Sequence, residues 1–246
     1  MKLLRKLLEK ALGFEGYLRL VSKSYLWLTG RGMFKSKYPE LFYLEKIIKP
    51  GFYCLDIGAN LGYYSTSLSK LSGKNGHVYA VEPVPVFQQI WKDNVQMSGV
   101  QNLTLLPYAL GSSNGTMQMG TPTRNGLVHH GMTKVVQPGQ ENYVHYYTVE
   151  MKVPDELFVN FPRLDFVKCD VEGYEHLVFS NMVQTLRKFK PLIQTELNGA
   201  ENRQKVYDLL TGLGYKAHIL GHGSTMVPVL ADKVTSAPES DFYFLP

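Results

Sequence analysis

The chain has 246 residues, 44% hydrophobic and 19% charged, with a formal net charge of +5 and two cysteines. A disordered polymer needs fewer apolar residues and more net charge, and a disulfide-stapled module needs many more cysteines. The length suits one large domain with a sizeable core, and the charge is uneven: residues 1–37 carry nine Lys/Arg against Glu9 and Glu15, a net +7, while residues 38–246 carry 17 basic and 19 acidic side chains, a net −2.

The basic head comes first. Leu3, Leu4, Leu7, Leu8, Ala11 and Leu12 recur at three- and four-residue spacing, with Lys2, Arg5, Lys6, Glu9 and Lys10 between them, which predicts an amphipathic helix. Its stripe has two readings: it packs on the body or on a second copy, or it lies on a membrane surface through residues 1–30. No nucleic-acid recognition motif accompanies the charge, so no nucleic-acid partner is expected. The longest apolar run of the head, Tyr25-Leu26-Trp27-Leu28, is far short of the roughly 20 residues of a membrane span. Charges also interrupt any secretory core, so the expected compartment is a reducing cytoplasm, with Cys54 and Cys169 as core thiols.

Strands and helices then alternate. Tyr53–Ile57 reads as a strand, Leu61–Leu71 as a helix, His77–Val81 as a strand, Val86–Met97 as a helix and Leu103–Pro107 as a strand. Residues 111–145 have no helical period. Met117 and Met119, and later Tyr147, Val149 and Met151, alternate with polar residues as exposed antiparallel strands do. The pattern resumes with a strand at Leu164–Cys169, a helix at Glu175–Phe189, a strand at Leu192–Glu196, a helix at Asn202–Leu213 and closing strands at Tyr215–Leu220 and Asp241–Leu245. These segments predict a doubly wound α/β fold on a seven-stranded, mostly parallel sheet. A helical appendage over residues 1–44 precedes a domain over 45–246, which carries a β insertion at about 111–150.

The segment Asp56-Ile57-Gly58-Ala59-Asn60-Leu61-Gly62 ends a buried strand, turns on glycine and opens a helix, where open α/β sheets bind their ligands. Gly58 allows a sharp turn and the approach of a ligand, and Gly62 allows close packing of the helix start. The spacing is G-x-x-x-G, which differs from the G-x-G-x-x-G of dinucleotide sites, so the ligand need not carry a diphosphate. The second strand ends in Glu82-Pro83, an acid placed to accept both hydroxyls of a ribose. An adenosine-type ligand with a cationic group near acidic residues fits this set, and S-adenosylmethionine is such a ligand.

In four blocks the chain resembles the FkbM-type S-adenosylmethionine-dependent methyltransferases. They are Leu55-Asp56-Ile57-Gly58-Ala59-Asn60-Leu61-Gly62, Val81-Glu82-Pro83, Ala109-Leu110-Gly111 and, most specific, Val167-Lys168-Cys169-Asp170-Val171-Glu172-Gly173-Tyr174-Glu175. The resemblance implies a Rossmann-like class I methyltransferase fold and methyl transfer to a hydroxyl of a sugar, glycan or polyketide-like acceptor. It also implies that Asp56 and the turn through Gly58, Ala59, Asn60 and Gly62 hold the methionine part, and that Glu82-Pro83 bind the ribose. Tyr108 and Ala109 would line the adenine, and Asp170 would sit by the reacting centre. The acidic turn common in the family before that strand appears here as Val153-Pro154-Asp155-Glu156-Leu157, a departure from the pattern.

Methyl transfer to an alcohol needs an aligned acceptor and a group that takes its proton. Asp170, Glu172 and Glu196 stand at predicted strand ends, and His129 and His130 in the variable segment. Glu172 and Glu175 also suit a helix start. Lys168, inside a strand, needs a carboxylate partner, with Glu196 the first candidate. No His/Cys set has metal spacing, so no resident metal is expected. Two other classes stay open, a nicotinamide-dependent oxidoreductase and a non-catalytic cofactor-binding body docked through its basic helix; a homodimer is also open.

Overall fold

Short runs buried on both faces, separated by amphipathic segments of helical length, pair into a parallel sheet because each crossover must return its helix over one face. The computed structural model describes residues 2–124, 126–136, 143–221, 223 and 225–246, with side chains from Leu4 onward. The Leu3 side chain of the predicted stripe and residues 137–142 of the predicted insertion therefore lie outside the described set.

In chain order the elements are α1 (Lys2–Thr29), α2 (Pro39–Ile47), β1 (Tyr53–Ile57), α3 (Tyr63–Ser72), β2 (His77–Val81), α4 (Pro85–Ser98) and β3 (Leu103–Leu106). The insertion holds β4 (Ala109–Leu110), β5 (Gly115–Arg124), β6 (Leu127–Val128), β7 (Lys134–Val135) and β8 (Tyr143–Lys152). The second half holds α5 (Pro154–Phe158), β9 (Phe166–Cys169), α6 (Glu175–Ser180), α7 (Val183–Phe189), β10 (Leu192–Glu196), α8 (Ala200–Gly212), β11 (Lys216–Gly221), β12 (Thr225–Pro228) and β13 (Asp241–Leu245).

The main sheet runs β12-β11-β13-β10-β9-β1-β2-β3. Strands β10, β9, β1, β2 and β3 are parallel, and β13, β11 and β12 join antiparallel. The seven expected strands are all present. The correction is an eighth, β12, which pairs with β11 as an edge hairpin. Its short run Thr225–Pro228 carries two half-exposed or exposed apolar residues and a proline, which is edge-strand composition and gives little hydrophobic signal. The single helix expected over Glu175–Phe189 is broken at Asn181, which binds the Leu177 carbonyl through its side chain and separates α6 from α7.

Strand alternation sorts the core. On one face Cys54, Val78 and Phe166 meet Leu68 of α3 and Leu41 and Leu44 of α2. On the other, Leu55, Ile57, Val167, Ile193 and Phe244 meet Val178, Phe179, Leu186 and Leu210 from α6, α7 and α8. Each fully buried Leu or Phe there contributes on the order of 1.5–3 kcal/mol. Both cysteines are buried free thiols. The insertion folds as a ribbon in which β5 and β8 pair Met117↔Val149 and Met119↔Tyr147. These alternating apolar residues face the body, with Val149 buried, and the exposed face carries Val144 and Tyr146.

Candidate active site

At the carboxyl end of β1 the chain turns through three successive departures from right-handed backbone, Gly58 (φ +81°), Asn60 (φ +48°) and Gly62 (φ +89°). Both glycines are demanded by neighbouring protein. A Cβ on Gly58 would stand 1.9 Å from the Asp170 carbonyl oxygen, and one on Gly62 would stand 2.9 Å from the Trp91 indole. The Gly58 turn is thus packed directly on the loop after β9. Gly58 also lines the cavity, so the contact with Asp170 adds a protein reason for glycine to the expected ligand one.

Glu82, at the end of β2, knits this turn to the next. Its Oε2 accepts the Asn60 amide at 2.8 Å and its Oε1 the Val84 amide at 2.8 Å. The Gly58 and Ala59 amides both donate to the Val81 carbonyl. Each Glu82 oxygen keeps a second lone pair for a ligand hydroxyl. Burial pushes the Glu82 carboxyl up to about 7, against the two amides that hold it down.

Asp56 is buried and accepts the Ser65 hydroxyl at 2.5 Å, and Ser65 in turn accepts the Trp91 indole N–H at 2.9 Å. Burial lifts Asp56 to about 6. The chain Trp91→Ser65→Asp56 fixes the carboxylate and positions α4 against α3. Trp91→Phe keeps the ring and removes the donor, and is expected to cost about 1 kcal/mol of stability in a denaturant titration.

In β9, Lys168 is buried and its Nζ lies 3.6 Å from Asp170 Oδ2, just past the strand end. Burial lowers the ammonium's affinity for its proton, but Asp170, Asp241 and Glu196 outweigh it and the amine is held charged. Asp170 is therefore the direct partner of Lys168, and the Glu196 expected from sequence acts through its field. Glu175 Oε1 accepts the Val171 and Gly173 amides and its Oε2 accepts the Asn202 side chain, so it holds the loop. Glu172 differs. It sits at φ +54°, and among the described residues nothing hydrogen-bonds its carboxyl. Burial, then Asp170, Glu196 and Glu175, push it up to about 8.

These loops enclose one cavity of about 400 Å³, within the usual range for small-molecule sites. Asp56, Gly58, Ala59, Asn60, Glu82, Pro83, Tyr108, Ala109, Asp170, Glu172 and Glu196 all line it. Gly62 does not line it and lies against Trp91. Of the two histidines only His130 lines it; His129 stands outside the lining. His130 is lowered to about 4 by burial and then by the Arg5 and His129 charges, so it is neutral at pH 7. Asp155 lies away from the cavity and caps α7 by accepting the Gln184 and Thr185 amides. The cavity's far wall is Phe87 from α4 and Met117, Met119, Thr133 and Val135 from the insertion, individual residues that no sequence motif marks. The alternation of Met117 and Met119 was the available signal.

A protein-L-isoaspartate O-methyltransferase of Methanosarcina mazei is 41% identical over 56 residues, 23% of this chain and 23% of that protein. The chain thus matches about a quarter of the length of such curated relatives. Among solved structures, a methyltransferase FkbM of Methylobacillus flagellatus KT aligns with a TM-score of 0.49 at 14% identity, over 83% of this chain and 50% of that one. A SAM-dependent O-methyltransferase of Thermotoga maritima aligns at 0.48 and 12% identity, over 84% and 64%. The profile of the methyltransferase FkbM domain matches residues 56–217, well over half of the chain and every turn of the cavity's acidic wall. The chain belongs to the FkbM family of S-adenosylmethionine-dependent methyltransferases.

Proposed function

We propose that this methyltransferase acts on a hydroxyl oxygen of a small acceptor, of the sugar, glycan or polyketide-like kind. The observation that carries this reading is the two-sidedness of the cavity. One wall holds five carboxylates, Asp56, Glu82, Asp170, Glu172 and Glu196, against the single amine of Lys168. The other is made of Met117, Met119, Thr133, Val135 and neutral His130.

The acidic wall fits S-adenosylmethionine, whose sulfonium and ammonium groups are cationic and whose ribose offers two hydroxyl donors. Glu82 would take the ribose with its spare lone pairs. Asp56 and Asp170 would face the cationic end, and Tyr108 and Ala109 the base. When bound, the cofactor supplies an electrophilic methyl group on sulfur. The chain's own residues must align the acceptor oxygen and remove its proton. Alignment alone is worth roughly 7–11 kcal/mol of barrier. Glu172 is the group for the proton, because its carboxyl is uncommitted and ionises near neutrality. Asp170, paired with Lys168, is the electrostatic anchor.

Calorimetry tests the cofactor half. S-adenosylmethionine is expected to bind, and Glu82→Ala to weaken it by about 1–3 kcal/mol, the cost of unpaired polar groups. Affinity is also expected to rise from about pH 6 to about pH 8 as Glu82 ionises, since a protonated carboxyl loses acceptor lone pairs. The sign for stability is opposite. A carboxyl raised from 4.5 to about 7 binds more protons folded than unfolded, so the free protein loses stability across that interval as pH rises. Tight binding of NAD without binding of S-adenosylmethionine would overturn the assignment. A screen of hydroxylated sugars with methyl-labelled cofactor tests the acceptor half.

A further inference from the structure

The head helix carries an apolar face that its own fold leaves uncovered. Gly13 has non-helical backbone (φ +70°, ψ 173°) and divides α1 into two helical segments. In the first, Leu8 packs near Tyr17, Leu18, Val84 and Phe87. Leu4, Leu7 and Ala11, at i, i+3 and i+7, form a stripe on the outside, with Leu4 62% and Leu7 57% exposed. In the second, Tyr17, Leu18 and Ser22 are buried, while Leu20 and Trp27, seven residues apart, are exposed on the opposite side, Trp27 by 57%. Part of the apolar stripe therefore faces out and does not pack on the body.

The head is rich in exposed cations. Lys6, Lys10, Lys23, Arg31, Lys35 and Lys37 are all exposed. The acids of the head are both engaged within it, Glu9 by Arg5 at 2.8 Å and Glu15 by Arg19 at 2.6 Å. The Arg31 guanidinium stacks over the Trp27 ring at 3.6 Å, keeping an amphipathic aromatic at the boundary of the face. Exposed leucines, a tryptophan and a concentrated positive charge of +7, on a protein whose remaining 209 positions sum to −2, match the requirements of an interfacial helix.

We propose that α1 docks this catalytic body on an anionic lipid surface, with Leu4, Leu7, Leu20 and Trp27 in the headgroup–acyl boundary and the flanking lysines against acidic headgroups. Charge complementarity selects this occupant. A second copy of the chain would bring two +7 heads together, and that repulsion opposes an isologous contact through the same face. Docking also bears on the cavity. Arg5 donates to the Val128 carbonyl and Phe14 stacks on His145 with centroids 4.4 Å apart, so α1 grips the insertion that forms the cavity's far wall.

Flotation of the full chain with vesicles tests this. Vesicles of phosphatidylcholine containing about 30% phosphatidylserine are expected to carry the protein at about 0.1 M salt, and pure phosphatidylcholine to carry at least tenfold less. Raising salt to about 0.5 M should release most of it. The double variant Leu4→Glu/Leu7→Glu and the double variant Lys10→Glu/Lys23→Glu should each lower binding about tenfold or more while melting temperature is unchanged, because all four side chains are exposed. Equal binding to both vesicle types, or no binding to either, overturns the proposal. So does a stable dimer in light scattering that Leu4→Glu/Leu7→Glu dissociates, since that face would then belong to a second copy.

Discussion

Gly58→Ala is expected to lower stability by about 4 kcal/mol or more, the range reserved for defects with a named steric cause. Two penalties combine. The φ of +81° is costly for any residue with a Cβ, by about 1 kcal/mol. The added carbon would also lie 1.9 Å from the backbone oxygen of Asp170, and neither partner is the end of a flexible side chain. The two loops must separate, and they are the loops that carry Asp56, Asp170 and Glu172. Gly99→Ala separates the terms. Gly99 has φ +68° and nothing within 4 Å of its would-be Cβ, so it should cost only the conformational part, about 1 kcal/mol. In thermal melts the Gly58 variant should fall by about 10 °C or more and the Gly99 variant by a few degrees. Equal losses would mean that the contact between the two loops is not what demands glycine.

That pair of glycines shows what the sequence could and could not say. A strand, a turn on glycine and a helix start are written in local composition, and β1, β2 and β10 fall where the apolar runs end. The reason for Gly58 is not local. It lies in Asp170, 112 positions away, which only the parallel pairing of β1 with β9 brings alongside. The same holds for Lys168. Its need of a counter-charge follows from burial, but its choice of Asp170 over Glu196 depends on which side chains leave the strand ends together. The acidic wall was legible because its members sit in short motifs. The far wall was not, because β5 and β8 are 10-residue strands whose side chains decide their facing only once the ribbon lies on the body. The break between α6 and α7 is not legible in sequence because an apolar period runs through it, and it falls at Asn181, whose side chain binds the Leu177 carbonyl.

Glu172→Gln is expected to reduce turnover by about 10²–10⁴ while cofactor affinity holds. The substitution keeps shape and removes the ability to take a proton. Of the carboxyls around the cavity, Glu82 is committed to two backbone amides, Asp56 to Ser65 and Asp170 to Lys168. Glu172 has no such commitment, and its positive φ points to a conformation that the fold imposes. Burial and the neighbouring carboxylates raise it to about 8, so near neutrality it is poised between its acid and base forms. The sign for rate follows from the role. A proton acceptor works ionised, so kcat/KM should climb with pH towards about 8 and level above it. A cation bound beside Glu172 favours its ionised form, so the limb in kcat should lie at lower pH than the limb in kcat/KM. At saturating cofactor, where the Glu82-linked change in affinity drops out, Glu172→Gln should flatten both limbs and leave a low, pH-independent rate. A Gln variant that retains turnover within about threefold, or that keeps the rising limb, would move the role to another group, with Glu196 next in line because it lines the same cavity and is likewise raised by burial and by Asp170.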